Sequence, residues 1–222
     1  NLQSMIVEEG NPMYDSRDNC NAIIETESNT LIAGCSVTNM PKSVIHIGAY
    51  AFSYQYLLNS IEVPDGIIAI GDNAYYGCGN ATSIFIPNSV SHIGHWALYA
   101  CDSLNSIVVE EGNSVYDSRN NCNAIIETAT NSLIVACQNT VIPEGVTNIG
   151  EHAFFNCNAL INSNALTSIV LPNTIETIEP FAFSTCSSLD TIYCYAITPP
   201  AINQYSFDNY NATLYLPCES LE

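Results

Sequence analysis

The sequence predicts a β-rich, right-handed solenoid in which short strands recur along the chain and stack on one another, with two inserted β-hairpin modules. Three observations lead there. The pentad Ser60-Ile61-Glu62-Val63-Pro64 returns 23 residues later as Ser83-Ile84-Phe85-Ile86-Pro87. A longer block, Glu8 to Thr26, returns 102 residues later as Glu110 to Thr128. Within the copies the apolar residues keep their places. A unit this short cannot bury its own apolar face, so neighbouring units must stack and share a core.

Each element of the unit can be read in order. The pentad reads as a strand with two inward residues, closed by a proline that has no N–H to offer the ladder. After it come Ile67, Ile70-Gly71, Ala74-Tyr75 and Cys78, matched by Val90, Ile93-Gly94, Ala97-Leu98 and Cys101. A later copy reads Ser168-Ile169-Val170-Leu171-Pro172, Ile175, Ile178, Ala182-Phe183 and Cys186, and its successor opens at Thr191-Ile192. These positions, three and four apart, form a return arm. Gly48, Gly71, Gly94 and Gly150 are expected at a tight bend, where glycine's freedom helps. Glu179 stands at that place in one copy, so the bend does not everywhere demand a positive φ.

The longer period adds the hairpins. Ile23 to Thr26 faces Thr30 to Ala33 across a polar turn, and Ile125 to Thr128 faces Ser132 to Val135. They are expected to be excursions from the solenoid edge. The 102-residue register holds to Gly150 and Ala153-Phe154, then slips by six at Leu160 to Ala165. The chain is thus read as one solenoid over 1–222, with hairpin modules at about 8–37 and 110–139 and C-terminal repeats over 166–222.

Composition bounds the function. Hydrophobic residues make up 47% of the 222, enough for an ordered core, and three basic residues face 22 acidic ones for a formal charge of −19. Arg17, Lys42 and Arg119 cannot form the basic footprint that nucleic acid requires, and the same shortage disfavours anionic membranes. No apolar run approaches the roughly 20 residues of a membrane span, so no membrane insertion is expected. The chain opens inside a repeat at Asn1-Leu2-Gln3-Ser4-Met5, so both ends are expected to be cuts and the lack of a signal peptide is uninformative.

The pattern Leu-x-x-Ile-x-Ile-Pro-x-x-Val-x-x-Ile-Gly-x-x-Ala-Phe-x-x-Cys resembles the bacterial BspA-like leucine-rich repeat over essentially the whole chain. The inserted Tyr-Asp-Ser-Arg-x-Asn-Cys-Asn-Ala-Ile-Ile-Glu-Thr module is similar to that of gut and oral Bacteroidetes proteins. The resemblance implies a secreted or cell-surface, extracellular location and a role in adhesion to host proteins or other bacteria. Departures are local: Gln55 stands at a cysteine position, and Tyr75 and Leu98 at phenylalanine positions.

Ten cysteines raise disulfide and metal readings. Cys78, Cys101, Cys157 and Cys186 each follow the repeat alanine by four residues, which predicts a column of buried thiols acting as small apolar groups. Cys20 and Cys35, and Cys122 and Cys137, face each other across their hairpins if Glu27-Ser28 and Ala129-Thr130 are two-residue loops. Counting outward from Thr26 and Asn29 puts them on hydrogen-bonded rungs, where side chains lie farther apart, which sets buried thiols ahead of a disulfide. Neither Cys-x-x-Cys nor His-x-x-x-His occurs, so no metal or other cofactor is expected. His46 and His92 share a column about 10 Å apart if the rise is a strand spacing. His95 and His152 lie in other columns, and all four read as surface residues. Asp15, Asp18 and Asn19 lack the spacing of a calcium loop and read as a solvated turn. Arg17 and Arg119 are expected to pair with acids of their own module.

No nucleophile, base and orienting group stand out together, and neither a Gly-x-Ser-x-Gly elbow nor a phosphate loop is present, so no enzyme is expected. The strand offers a binding surface instead. The residue two before the proline, or before the residue in its place, faces outward, giving the column Ile6, Asn39, Glu62, Phe85, Val108, Val141, Val170, Tyr193 and Tyr215 beside a hydroxyl column of Ser4, Ser60, Ser83, Ser106, Ser168 and Thr191. Phe85, Val108, Val141, Val170, Tyr193 and Tyr215 are the candidate partner-binding strip, since contiguous exposed apolar surface is unusual without a use. β-branched and aromatic residues also simply suit strands, so a structural reading of the same column stands beside it. The expectation is a monomer that binds a host or bacterial surface protein. A glycan-binding accessory role, with Tyr193 and Tyr215 near Asn209 and Asn211, and a display spacer without a ligand are the alternatives.

Overall fold

Alternation along the pentad is what builds the molecule. In Ser83–Ile86, Ser106–Val109 and Thr191–Cys194 successive residues run half-buried, buried, exposed, buried, the period of two that puts one face of a strand on a core. The computed structural model describes residues 2–155, 157, 165–203, 205–207 and 211–217. They form a β-solenoid of units about 23 residues apart. Among the described residues the only helical pieces are single 3₁₀ turns at Arg17–Asn19 and Arg119–Asn121. Contacts group the chain into two units, Asn1–Cys101 with Glu110–Ser114, and Asp102–Val109 with Val115–Glu222.

In the first unit, Tyr14–Asp15, Ile23–Glu25 and Thr30–Ala33 run antiparallel, and Thr30–Ala33 then pairs in parallel with His46–Ile47, followed by Ala69–Ile70 and His92–Ile93. A second sheet pairs Ile61–Glu62 with Ser83–Ile86, with Ile61 beside Ile84 and Glu62 beside Phe85. In the second unit Tyr116–Asp117, Ala124–Glu127 and Ser132–Ala136 lead in the same way into Asn148–Ile149, Thr177–Ile178 and Ala201–Ile202. Its other sheet stacks Ser168–Leu171, Thr191–Cys194 and Thr213–Tyr215 in parallel.

The hairpins differ from the expectation of edge excursions. Each forms the first strands of the return-arm sheet, and Ile24, Leu31, Ile126 and Leu133 are fully buried in the core. The strands stop at the pairs Glu25/Thr30 and Glu127/Ser132, leaving four-residue turns in place of two-residue loops. Beyond Ile24/Leu31 the register slips by one, so Ile23 faces Ala33, and the same bulge recurs in the second copy. Cys20 and Cys35 therefore do not face each other. Both are buried free thiols, as are Cys122 and Cys137, with Cys35 and Cys137 Sγ donating to the Asn21 and Asn123 carbonyls.

The return-arm glycines also differ from the expectation, since none has a positive φ. Their N–H groups form a ladder to the neighbouring strand: Gly48 to Leu31, Gly71 to Ile47, Gly94 to Ile70 and Gly150 to Leu133, at 2.7–2.8 Å. A Cβ on Gly71 would lie 2.7 Å from the Ala49 nitrogen, and one on Gly94 2.5 Å from the Asp72 nitrogen. Close backbone approach is what these positions require. Glu179 keeps the same ladder bond, to Ile149. The left-handed turn falls two residues later, at Tyr50, Asn73, Trp96, His152 and Phe181, and a second one falls at Tyr54, Gly77, Ala100 and Thr185.

The core is a set of such columns. Phe52 stacks on Tyr75 in the first unit, and Phe154, Phe183 and Phe207 stack in the second at 4.7 and 4.8 Å. Full burial of one such ring is worth about 2–3 kcal/mol.

Candidate functional site

The outward column is exposed as the alternation predicts. Ile6, Asn39, Glu62 and Phe85 are exposed in the first unit, and Val108, Val141, Val170, Tyr193 and Tyr215 in the second. The structure brings three of these directly together. Val170 pairs with Tyr193 and Tyr193 with Tyr215 on consecutive parallel rungs, and they are 45%, 37% and 52% exposed. Tyr193 and Tyr215 stack with centroids 4.9 Å apart. Val108 lies on Ser106–Val109, and Val141, 70% exposed, lies outside the strands with its N–H on the Cys122 carbonyl, so neither shares that three-strand ladder. The hydroxyl column runs beside the ladder, with Ser168 exposed, Thr191 half-buried and Thr213 on the next rung. Asn211 is exposed, whereas Asn209 lies outside the described residues.

The same second unit holds an apolar hollow of about 450 Å³ lined by Leu171, Ile192, Cys194, Pro200, Phe207 and Leu214. Leu214 pairs with Ile192 on the inward column yet is exposed, which makes the hollow a continuation of the core.

The charged candidates are committed within their own modules. Both oxygens of Asp15 accept from the Arg17 guanidinium at 2.7–3.0 Å, and Asp117 and Arg119 repeat the arrangement. The guanidinium holds the Asp15 carboxyl below its usual range. Asp18 and Asn19 have left-handed φ in the turn, a region that Asp and Asn tolerate. Arg17 Nη1 reaches on to Asn29 Oδ1, tying the turn to the hairpin tip. His46, Ala69 and His92 share one column, as expected. His152 is not the surface residue expected: its side chain is 13% exposed and stacks on Phe181 at 5.1 Å, followed by Tyr205. Among the described residues no three His, Cys, Asp or Glu are placed to hold a metal ion.

One exposed feature is absent from the sequence expectations. In the first unit Tyr54 packs edge-on against Tyr76 at 5.2 Å, Tyr76 stacks on Tyr99 at 5.4 Å, and Tyr99 leans on Trp96 at 5.6 Å. Tyr56 tilts against Tyr54. The Tyr76 phenol is raised by burial first, then by a side-chain hydrogen bond with Tyr54 and the nearby Tyr50 and Tyr56. The signal was present, since Tyr76 and Tyr99 follow their return-arm glycines by five residues and the chain's one tryptophan follows Gly94 by two.

Fold and exposed strand face together define a leucine-rich-repeat solenoid. The BspA type leucine-rich repeat region matches residues 28–160 and 131–217 with six copies, and the chain belongs to this family. Three solved structures share the fold. A leucine-rich cell surface protein of Faecalibacterium prausnitzii is 24% identical over 76% of this chain and 49% of its own, with a TM-score of 0.53. The pneumococcal vaccine antigen PcpA is 18% identical over 81% and 50%, at 0.56. A leucine-rich repeat protein of Eubacterium ventriosum is 20% identical over 84% and 60%, at 0.50. The chain thus spans about half to three fifths of the length of these structures. No curated protein matches the sequence. Among the described residues no helix is long and apolar enough to cross a membrane.

Proposed function

We propose that this chain is a non-enzymatic protein-binding module of a secreted or cell-surface bacterial protein, and that it binds a host or bacterial surface protein through its outward strand column. The observation that carries the reading is the run Val170, Tyr193 and Tyr215, exposed side by side on consecutive strands of a parallel ladder. Aromatic anchors on a fixed backbone lose little entropy on binding and dominate protein interfaces. Val108 and Val141 extend the apolar character of the second unit, and Phe85 occupies the same strand position in the first. A spacer without a ligand gains from such a column only the cross-strand stacking of Tyr193 on Tyr215. A sugar platform needs open ring faces, whereas Tyr193 and Tyr215 cover one face of each other.

The test is surface plasmon resonance against candidate host and bacterial surface proteins. A partner found for the intact chain is expected to lose at least about tenfold in affinity on Phe85→Ser with Tyr193→Ser, given the usual weight of aromatic anchors. Unchanged affinity in a double variant with native circular dichroism overturns the reading.

A further inference from the structure

The aromatic group of the first unit has a chemistry of its own. Tyr50, Tyr54, Tyr56 and Trp96 are exposed, and Tyr76 and Tyr99 lie half-buried beneath them. Backbone bonds between coils hold the group in place: the Tyr54 N–H donates to the Tyr76 carbonyl at 2.7 Å and the Gly77 N–H to the Tyr99 carbonyl at 2.9 Å. Tyr50, Tyr54 and Trp96 each hold a left-handed φ between 55° and 58°. A bulky side chain there costs about 1–2 kcal/mol. The fold itself does not demand that cost, because Asn73 and Gly77 fill the corresponding positions of the middle coil. Strain of this kind, carried by aromatic residues that end up in solvent, points to a use for the rings.

Charge says what kind of partner fits them. The first unit carries eleven acidic side chains against Arg17 and Lys42, and Arg17 is held by Asp15. Asp72 borders the rings, its carbonyl accepting from the Tyr50 N–H and its carboxylate from the His95 N–H. Ring faces carry negative quadrupole density, so rings in a negative field attract cations. Tyr76 has Tyr99 on one face and the edge of Tyr54 against it, so the rib offers edges, phenol oxygens and the outer rings. A planar guanidinium can stack on those outer rings and donate to the phenol oxygens, and it sheds its water more easily than an ammonium.

We propose that this aromatic rib is a second docking surface, distinct from the strand column, for a basic, arginine-bearing segment of a partner protein. Tyr50, 60% exposed, supplies the stacking face, and Trp96, whose ring packs on His95 at 4.6 Å, adds its exposed edge. The phenols of Tyr54 and Tyr76 accept guanidinium N–H groups, and the acidic surface steers the segment in.

Trp96 is the chain's single tryptophan, so its emission reports on the rib directly. The experiment titrates the intact chain with an arginine-rich peptide, its lysine counterpart, a glutamate-rich peptide and a soluble oligosaccharide. It reads Trp96 fluorescence and, separately, the anisotropy of labelled peptide. Saturable binding of the arginine peptide is expected, at least about fivefold tighter than the lysine peptide because only guanidinium both stacks and forks, and weaker at high salt. Tyr50→Asn with Tyr54→Gly, which copies the residues of the middle coil and so retains the fold, is expected to weaken binding about tenfold. Phe85→Ser with Tyr193→Ser is expected to leave it unchanged, which separates this surface from the strand column. Equal affinity for both basic peptides with no loss in the rib variant means diffuse charge attraction and overturns the proposal. A Trp96 response to the oligosaccharide alone overturns it in favour of a glycan site.

Discussion

The thiol of Cys78 donates to the carbonyl oxygen of Phe52 across 3.1 Å, from one coil to the coil before it. Cys101 makes the same bond to Tyr75 at 3.3 Å and Cys186 to Phe154 at 3.4 Å. The cysteine column therefore does more than fill space, because each sulfur adds a second donor to a carbonyl at the aromatic position of its neighbour that already accepts a backbone N–H.

Alkaline pH is expected to destabilise the fold through the Cys78 thiol. Burial lifts Cys78 from 9.0 to about 11, so between those pH values the folded state retains a proton that the unfolded state has lost. The stabilisation is complete below pH 9 and is lost as pH rises towards 11, at about 2–3 kcal/mol for one fully buried thiol. Urea unfolding at pH 8 and pH 10.5 measures the difference, and Cys78→Ala is expected to reduce it. An equal drop in that variant assigns the alkaline loss to other groups.

Three glycines are expected to respond to alanine in three different ways. Gly94→Ala brings a Cβ within 2.6 Å of the backbone of the coil beside it, which cannot move without opening the ladder, and a loss of about 3 kcal/mol or more follows. Gly66, at φ +92° in open space, suffers only conformational strain of about 1 kcal/mol. Gly79 has no positive φ and a single contact at 3.9 Å, so alanine there is expected within about 0.5 kcal/mol of neutral. Denaturant midpoints of the three variants rank them.

The second left-handed column allows a gain of stability. Ala100 holds φ 58° at the place where the preceding coil has Gly77. Ala100→Gly is expected to raise stability by about 0.5–1 kcal/mol, the strain relieved outweighing the added freedom of the unfolded chain. The reverse change, Gly77→Ala, drives a Cβ to 2.8 Å from the Tyr54 ring and is expected to lower it. A destabilised Ala100→Gly in thermal melts contradicts the column.

What the sequence revealed depended on whether a residue's role was repeated. The pentad strand, the outward column and the buried thiols recur in most coils, so position within the period is enough to place Phe85, Tyr193 and Cys78. The glycine column is legible in the sequence but its cause is not, because close approach between coils and left-handed backbone both favour glycine and only geometry separates them. The bulge beyond Leu31 is not legible because a one-residue slip leaves no mark in composition, and it is enough to carry Cys20 and Cys35 out of line. The aromatic rib is not legible for a related reason: Tyr54, Tyr76 and Trp96 hold different places in the period, and they meet, with Tyr99, only when the coils stack.

Arg17 closes its hairpin module in a way that lysine cannot. Its Nε and Nη2 fork onto Asp15 while Nη1 bonds Asn29 at the turn and Ser43 in the next loop. A lysine offers one ammonium in place of this planar fork, so Arg17→Lys is expected to behave like Arg17→Met. Both side chains of the pair are about 30% exposed, which limits the loss to about 1 kcal/mol. The readout is hydrogen exchange at the Thr26 amide, which donates to Met13 across the module and should exchange several-fold faster in either variant. Acid is expected to act in the same direction. Because Arg17 holds the Asp15 carboxyl below its ordinary range, the pair contributes fully above about pH 4 and fades as pH falls through the folded value. Arg119, which forks onto Asp117 and reaches Asn131, repeats the geometry in the second unit, so Arg119→Lys should accelerate exchange at Thr128. Protection at Thr128 that survives Arg119→Lys, alongside loss at Thr26 in Arg17→Lys, assigns the effect to Ser43, the one partner the two modules do not share among these bonds.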